Sequence, residues 1–193
     1  MNYNKLSIDK NGFLLVDNEY LNNIFEKIHC SNNFFEWLIS SVCTENTGEL
    51  LYVNELVENK ISCNFPLLIC GDDCDFSCTI VVVKVEWTEN QVIWTKFGTV
   101  KKDADFWEKY RDSGIRRVEN WTDNDWKKYN SISYDLLYDE NFFDDWCSKN
   151  WNEEVYRRTW NYYHEYFNND MNIEWLGEVD FRFEVSNYRN CFK

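Results

Sequence analysis

The clearest alternation of apolar and polar segments lies at residues 65–97. An apolar run at 66–70 is followed, after an acidic turn, by a segment at 79–87 that is dense in β-branched and aromatic residues; a third run covers 92–97. Such runs, separated by short polar clusters, are typical of strands joined by hairpin turns. The pattern predicts a three-stranded antiparallel meander. Its second strand is predicted to be central, because residues 80–83 place apolar side chains on both faces.

The segment before the meander has helical spacing. Leu21, Ile24, Phe25 and Ile28 fall at positions i, i+3, i+4 and i+7, which is one face of a helix. Asp17 precedes this face and is predicted to cap the helix, since Asp is a favoured N-terminal cap.

Three further elements are predicted in the first sixty residues. Residues 13–16 form a short first strand, and residues 50–57 fit either an edge strand or a helix, because their spacing does not decide. A second helix is predicted after Ser31 as its cap, with five apolar residues on its buried side: Phe34, Phe35, Leu38, Ile39 and Val42.

The second half of the chain predicts helices and one last strand. Residues 142–166 are the best candidate for a long helical segment, and their apolar stripe is interrupted near Asn150, which indicates two helices. Residues 178–183 alternate as a strand does, and a helix at 186–192 with Ser186 as cap ends the chain.

These elements predict an α+β fold in a single domain over residues 1–193. A mostly antiparallel sheet with the central meander and the N-terminal helices forms a core from residues 1–100 and 171–193. Residues 101–170 are an aromatic-rich helical insertion. A hydrophobic content of 44% and an aromatic content of 19% are enough for a chain of this length to bury a core.

Charge narrows the class of partner. The chain has 34 acidic and 20 basic residues, which gives a formal net charge of −14. Binding to phosphates requires a basic surface, so the sequence argues against direct contact with nucleic acid or with an anionic membrane. The predicted partner is a basic protein. The alternative is that the acidic residues only keep an aromatic-rich protein in solution.

The sequence predicts a cytoplasmic protein. It has no apolar span of membrane length and no basic N-terminal segment followed by an apolar run. The eight cysteines are therefore expected to be mostly reduced thiols.

Acidic and aromatic residues are interleaved most densely in the segment 134–151. At an interface, aromatic side chains provide contact area and carboxylates steer a basic partner. The predicted partner-binding residues are Asp139, Glu140, Asp144, Asp145, Trp146, Trp151, Glu153 and Glu154. The alternative is a solvated helix face with ordinary core aromatics. Five nearby arginines are predicted to make internal ion pairs or cation–π contacts: Arg111, Arg116, Arg117, Arg157 and Arg158.

Cys70, Cys74 and Cys78 form the sharpest local pattern, at a predicted turn. Thiolates at a turn can bind Zn²⁺, although structural zinc sites normally have four ligands. The sequence does not select the fourth among the candidates Cys63, Asp72 and His29. The alternative is that all three are free thiols, with no cofactor.

The sequence carries no catalytic motif. His29 and His164 are the only histidines, and a His that acts as an acid or base usually needs an orienting carboxylate. No Gly-rich phosphate loop, nucleophile elbow or zinc-protease motif is present. The chain is therefore predicted not to be an enzyme.

Short motifs in the meander and near the C-terminus resemble a group of small bacterial proteins, several of which look like immunity proteins of polymorphic toxin systems. The matching pieces are Leu67-Leu68-Ile69-Cys70-Gly71, Cys78, residues 80–85, Val92-Ile93-Trp94-Thr95-Lys96-Phe97, and Phe181-Arg182-Phe183 with Tyr188. Those proteins usually have Cys-Gly-Cys at the turn, where this chain has Asp72 as the third residue. The resemblance implies a sheet core and an immunity role.

Charge, aromatic content and the resemblance together favour an acidic inhibitor that binds and occludes a basic partner. The main hypothesis is an immunity protein that neutralises a toxin, such as a nuclease. One alternative is a phage-encoded inhibitor of a nucleic-acid-binding defence enzyme, of the anti-CRISPR type. Another is a small metal-binding protein or enzyme built on the three cysteines of the turn.

Overall fold

The computed structural model describes residues 3–30 and 33–192, and within them the chain has an α+β fold. The strands are β1 (Leu6–Ile8), β2 (Leu14–Val16), β3 (Glu19–Tyr20), β4 (Leu38–Ser40), β5 (Cys63–Cys70), β6 (Ile80–Trp87), β7 (Gln91–Val100) and β8 (Ile173–Glu184). They form a three-stranded sheet, β1-β2-β3, and a five-stranded sheet, β4-β5-β6-β7-β8, both antiparallel.

The α-helices are α1 (Leu21–His29), α2 (Thr47–Glu58), α3 (Phe106–Asp112), α4 (Asp123–Tyr129), α5 (Ser133–Tyr138), α6 (Glu140–Lys149), α7 (Trp151–Arg158), α8 (His164–Phe167) and α9 (Val185–Cys191). A π-helical turn, Thr159–Tyr163, joins α7 to α8. The strand predicted at 13–16 is confirmed as β2, but it is not the first, because β1 precedes it. The predicted first helix, last strand and last helix are confirmed as α1, β8 and α9.

The predicted meander is confirmed. Strands β5, β6 and β7 pair in sequence order, with Val83 of β6 opposite both Phe65 and Phe97. One further strand lies on each side, β4 beside β5 and β8 beside β7, so β6 is the central strand as predicted. Pro66 lies in an inner strand at a register shift, which is where such a strand tolerates a residue without an N–H.

The helix predicted after Ser31 is wrong, and Ser31 itself lies outside the described residues. The apolar residues there instead lead into the edge strand β4, with Leu38 opposite Cys70. Buried Asn22 of α1 donates its amide to the carbonyls of Phe35 and Leu38, the latter at 2.9 Å. The Phe35 carbonyl also accepts from the N–H of Leu38 at 3.1 Å, so a single turn, held by a side chain of α1, replaces the predicted helix.

Residues 50–57 are helical, within α2, which decides between the two predicted alternatives. Asn46 caps this helix, because its Oδ1 accepts a hydrogen bond from the N–H of Gly48 at 3.0 Å. Tyr52 and Leu56, one turn apart, are fully buried against the sheet core.

Of the three predicted helix caps, Asp17 and Ser186 are wrong, and Ser31 lies outside the described residues. Asp17 and Asn18 have φ of 52° and 69° and form the tight turn between β2 and β3, so α1 begins after Tyr20 without a side-chain cap. Ser186 lies inside α9, which also begins without a side-chain cap. The neighbouring Asn187 docks this helix on β1 through two hydrogen bonds, of 2.8 and 2.9 Å, to the backbone of Leu6.

The segment that connects β7 to β8 carries helices α3 to α8. Its inner end packs on the main core, for example through Phe106, whose ring stacks on that of Tyr163. Its outer end has a second small core of Ile115, Trp121, Tyr129, Leu136, Phe143, Trp146 and Cys147. The predicted helical segment at 142–166 is confirmed, with its break at Asn150, between α6 and α7.

We expect Phe97→Ala to destabilise the fold by about 3–5 kcal/mol, the usual cost of deleting a buried aromatic ring. Phe97 is fully buried, and its ring stacks on Phe25 of α1 with 3.8 Å between centroids. The measurement is urea unfolding followed by circular dichroism. Trp37→Ala is the control, since Trp37 is 70% exposed and its removal should change stability by less than about 0.5 kcal/mol. Equal effects of the two substitutions would contradict this assignment of the core.

Candidate functional site

The eight predicted partner-binding residues lie on α6, on α7 and at the junction of α5 and α6, but they do not form one exposed surface. Glu154 and Trp146 are buried, and the other six are at least partly exposed. Burial removes Glu154 and Trp146 from any contact surface, because their polar and aromatic groups are already used inside the protein.

Glu154 belongs to a buried ion pair. Its Oε1 lies 2.8 Å from Nε of Arg158, one helical turn later, and its Oε2 accepts a hydrogen bond of 2.8 Å from the N–H of Ile115. A Cβ at Gly114 would lie only 2.0 Å from Oε1, so the backbone approaches the carboxylate as closely as glycine alone permits. The pair therefore fixes α7 against the loop that follows α3.

Trp146 and Glu153 support the second core from its two sides. The Trp146 ring packs edge-to-face on Tyr129, whose hydroxyl donates a 2.7 Å hydrogen bond to Glu153. Arg157 lies 2.7 Å from Glu153 and 2.5 Å from Asp125. The hydrogen bond from Arg157 holds the pKa of the Asp125 carboxyl at about 2. Glu153 is thus committed to internal partners, although it is only half-buried.

Two acidic residues of α6 are exposed but paired. Glu140 lies 2.9 Å from a guanidinium nitrogen of Arg116 and 2.5 Å from one of Arg111. Asp145 lies 2.5 Å from Nζ of Lys149, one turn later. These pairs leave fewer free carboxylates on α6 than the sequence suggests.

The prediction that the five arginines act internally is confirmed, since each makes at least one ion pair with a carboxylate. Arg111 also lies 3.6 Å from Asp144. The guanidinium of Arg158 lies 5.7 Å from the ring of Trp151, which remains about half exposed. Of the predicted contact residues, Trp151 and Asp139 are the two whose side chains are exposed and make no ion pair within the described part of the chain.

Four exposed acidic and aromatic residues form what we call the α5 surface: Tyr134, Asp135, Tyr138 and Asp139. The two tyrosines are 73% and 71% exposed, and their ring centroids lie 5.0 Å apart. The Asp139 carboxylate accepts a hydrogen bond of 3.1 Å from the N–H of Phe142 and so caps α6. Neither Asp135 nor Asp139 makes an ion pair within the described part of the chain.

Three residues of the α5 surface are missing from the predicted set, although the sequence carries a signal for them. The dipeptide Tyr-Asp occurs at 134–135 and again at 138–139, four residues apart. Side chains four residues apart lie on one face of a helix. The repeat therefore places the two tyrosines on one face of α5 and an aspartate directly after each of them, which a count of acidic residues does not reveal.

Residues 70–78, which we call the thiol turn, join β5 to β6. Ligand atoms of Cys70, Asp73 and Cys78 lie within 4.8 Å of one another. Cys74 is not part of this group: its thiol donates to the carbonyl oxygen of Gly71 at 3.1 Å. Of the three predicted ligands, Cys70 and Cys78 lie together, and Asp73 takes the place predicted for Cys74. Cys74 has a φ of 50°, and its sulfur points to the Gly71 carbonyl instead.

A buried carboxyl group lies beneath the thiol turn. Glu49 of α2 accepts hydrogen bonds from the hydroxyl of Thr44 at 2.9 Å and from the N–H of Phe76 at 3.2 Å. Burial raises the pKa of Glu49 to about 7; nearby Asp75 also raises it, and Lys102 opposes the shift. The protonation state of this group is therefore linked to the packing of the turn.

The two histidines have aromatic and hydroxyl neighbours. His164 Nδ1 lies 3.2 Å from the hydroxyl of Tyr52, and burial lowers the pKa of the imidazole. The His29 ring packs edge-to-face on Phe35. Neither contact brings a histidine to the α5 surface or to the thiol turn.

Comparison with known proteins does not extend this picture. No protein-family model, curated protein or solved structure matches the chain. Within residues 3–30 and 33–192, none of the helices has the length and apolar character that crossing a membrane requires.

We expect Arg158→Met to destabilise the protein by about 3–5 kcal/mol, because it leaves Glu154 charged, buried and without its cation. Lys149→Met is the matched control, since it also removes the cation of an i, i+4 pair, but from an exposed one worth at most about 1 kcal/mol. Urea unfolding at neutral pH measures both. A loss for Arg158→Met no larger than that for Lys149→Met would show that the pair is not buried in solution.

Stability should fall as pH rises through the range in which Glu49 ionises. Its pKa is raised from 4.5 to about 7 on folding, so its stabilising contribution is complete below 4.5 and lost as pH approaches 7. Between pH 5 and pH 8 the free energy of unfolding of the wild type should fall by about 2–3 kcal/mol relative to that of Glu49→Gln, whose side chain stays neutral. Parallel pH dependence of the two proteins in urea unfolding would contradict the assignment.

Proposed function

We propose that this protein is an acidic inhibitor that binds a basic protein and occludes its surface. Its role would be that of an immunity protein, which neutralises a toxin such as a nuclease. The observation that carries the proposal is the α5 surface, where two exposed tyrosines in ring contact are each followed by an aspartate that makes no ion pair with the described residues.

The composition of the α5 surface suits a basic partner. Tyrosine is enriched at binding hot spots because it offers a large rigid contact area at small entropic cost. Asp135 follows Tyr134 in α5, and Asp139 follows Tyr138 at the end of this helix, so each carboxylate is the sequence neighbour of one exposed tyrosine. A partner's lysine or arginine can pair with them without first displacing an internal cation.

The net charge of −14 acts at longer range. A strongly acidic protein attracts a basic partner and raises the association rate, most of all at low salt. Many of the acids on α6 and α7 are paired with cations, and the opposite charges of such a pair largely cancel at a distance. The long-range attraction therefore arises from the excess of acidic over basic residues.

A cytoplasmic location is part of the same proposal. The eight cysteines are all free thiols in the structure, which suits a reducing compartment. The partner's identity would separate an immunity protein, which meets a toxin, from an inhibitor of a nucleic-acid-binding defence enzyme.

The test compares four immobilised proteins exposed to lysate of the source cell: the wild type, Tyr134→Ala/Tyr138→Ala, Asp135→Asn/Asp139→Asn, and a control variant. Glu86→Gln/Glu89→Gln is the matched control, because both glutamates are exposed and its change in charge equals that of the aspartate variant. We expect a basic protein to be retained by the wild type and the control, and released by salt. Loss of the two tyrosines should weaken its binding about 30-fold or more, as at a hot spot.

The captured protein is then purified and titrated with each variant, and its own activity is measured. Stoichiometric inhibition by the wild type and the control, with weaker inhibition by both α5 variants, supports the proposal. Capture of no basic protein, or equal inhibition by all four proteins, overturns it. A smaller salt dependence for Asp135→Asn/Asp139→Asn is expected, since two charge pairs are lost.

A further inference from the structure

The thiol turn holds donor atoms that suit a soft divalent cation. The sulfurs of Cys70 and Cys78 and a carboxylate oxygen of Asp73 all lie within 4.8 Å of one another. In a tetrahedral zinc site with Zn–S bonds of about 2.3 Å, two sulfur ligands lie roughly 3.8 Å apart. A shift of about 1 Å at most in each side chain would therefore allow the three donor atoms to bind the same ion.

The backbone of the turn is held in place by its own contacts. The N–H of Cys70 donates to the carbonyl of Thr79 at 3.2 Å, and the N–H of Cys74 donates to the carbonyl of Cys70 at 3.0 Å. The first bond joins the last residue of β5 to the residue that precedes β6, and the second closes the first half of the turn. The two ligand sulfurs thus lie at the two ends of one hydrogen-bonded turn.

A lysine clamps the returning half of the turn. Lys102 Nζ donates to the carbonyl oxygens of Phe76, Ser77 and Cys78 at 3.1, 2.7 and 2.6 Å. The Phe76 side chain is fully buried, with its ring against Tyr163. Cys78 is therefore fixed through its own carbonyl group while its side chain stays exposed.

We propose that the thiol turn binds one zinc-like divalent cation through Cys70, Cys78 and Asp73, with a fourth position open to solvent. Two thiolates select a thiophilic ion over Mg²⁺ or Ca²⁺, and a carboxylate is a regular third ligand of zinc. As each metal–sulfur bond forms, the thiol releases its proton to water. Cys78 and Asp73 are exposed, so the ion can enter and a water molecule can complete its coordination.

The site is independent of the α5 surface. The ligands lie between β5 and β6, whereas the α5 surface lies in the insertion, and no residue belongs to both. The cation would join the ends of the two strands and stabilise the folded chain by mass action. Failure of one proposal therefore leaves the other standing.

The test titrates the reduced, metal-free full-length protein with Co²⁺ and then with Zn²⁺. We expect one Co²⁺ per chain, with a thiolate-to-cobalt charge-transfer band in the near ultraviolet that Zn²⁺ abolishes. Cys70→Ser and Cys78→Ser should each weaken Co²⁺ binding at least about tenfold and reduce the band. Asp73→Asn should weaken binding as well but keep the band, since both thiolates remain.

Cys74→Ser is the matched control, because it removes a thiol from the same turn that lies outside the ligand group. It should bind Co²⁺ as the wild type does. Circular dichroism of each variant checks the fold; if Cys70→Ser is unfolded, the exposed positions Cys78 and Asp73 decide the matter. Absence of the band in the wild type, or a loss with Cys74→Ser equal to that with Cys78→Ser, overturns the proposal.

Discussion

Burial of both faces of the central strand β6 is the constraint on which the rest of the structure depends. Its first four residues are all buried, so the sheet must be covered on two sides. Phe97 and Lys96 are adjacent on β7 and point to opposite faces. Phe97 packs on α1, whereas Lys96 lies 2.9 Å from Asp170 at the end of the insertion. The insertion therefore contacts the face of the sheet opposite α1, in addition to forming its own outer core.

Local patterns were enough to predict those elements in which the spacing of apolar residues matches the side that is buried in the fold. The meander, α1 and the helices on both sides of Asn150 have clear strand or helix spacing, and the structure confirms them. The segment around Leu38 failed because its apolar residues fit a helix, while Asn22 and the open edge of β5 offer its backbone better partners. Such partners are distant in sequence, and local spacing does not contain them.

The site was harder to predict than the fold, because composition does not distinguish buried from exposed members of one helix. Trp146 and Trp151 have similar neighbours in sequence, yet the first supports the second core and the second is about half exposed. Glu153 and Glu154 are adjacent, and only the position of Arg158 and Ile115 makes Glu154 internal. Conversely, the Tyr-Asp repeat of α5 is visible in the sequence once helical spacing is applied to it.

Internal ion pairs change the meaning of the acidic composition. A net charge of −14 suggests a uniformly acidic surface, but the insertion also contains arginines that bind many of its carboxylates. Small outer cores bury little apolar area, and such pairs, together with Arg116 over the Phe143 ring at 3.7 Å, help to orient the helices around them. The acids without ion pairs therefore differ from the others in that they do not orient the helices around the second core. On that physical ground, and not on acidity alone, we propose Asp135 and Asp139, rather than the paired acids of α6 and α7, as carboxylates that contact a basic partner.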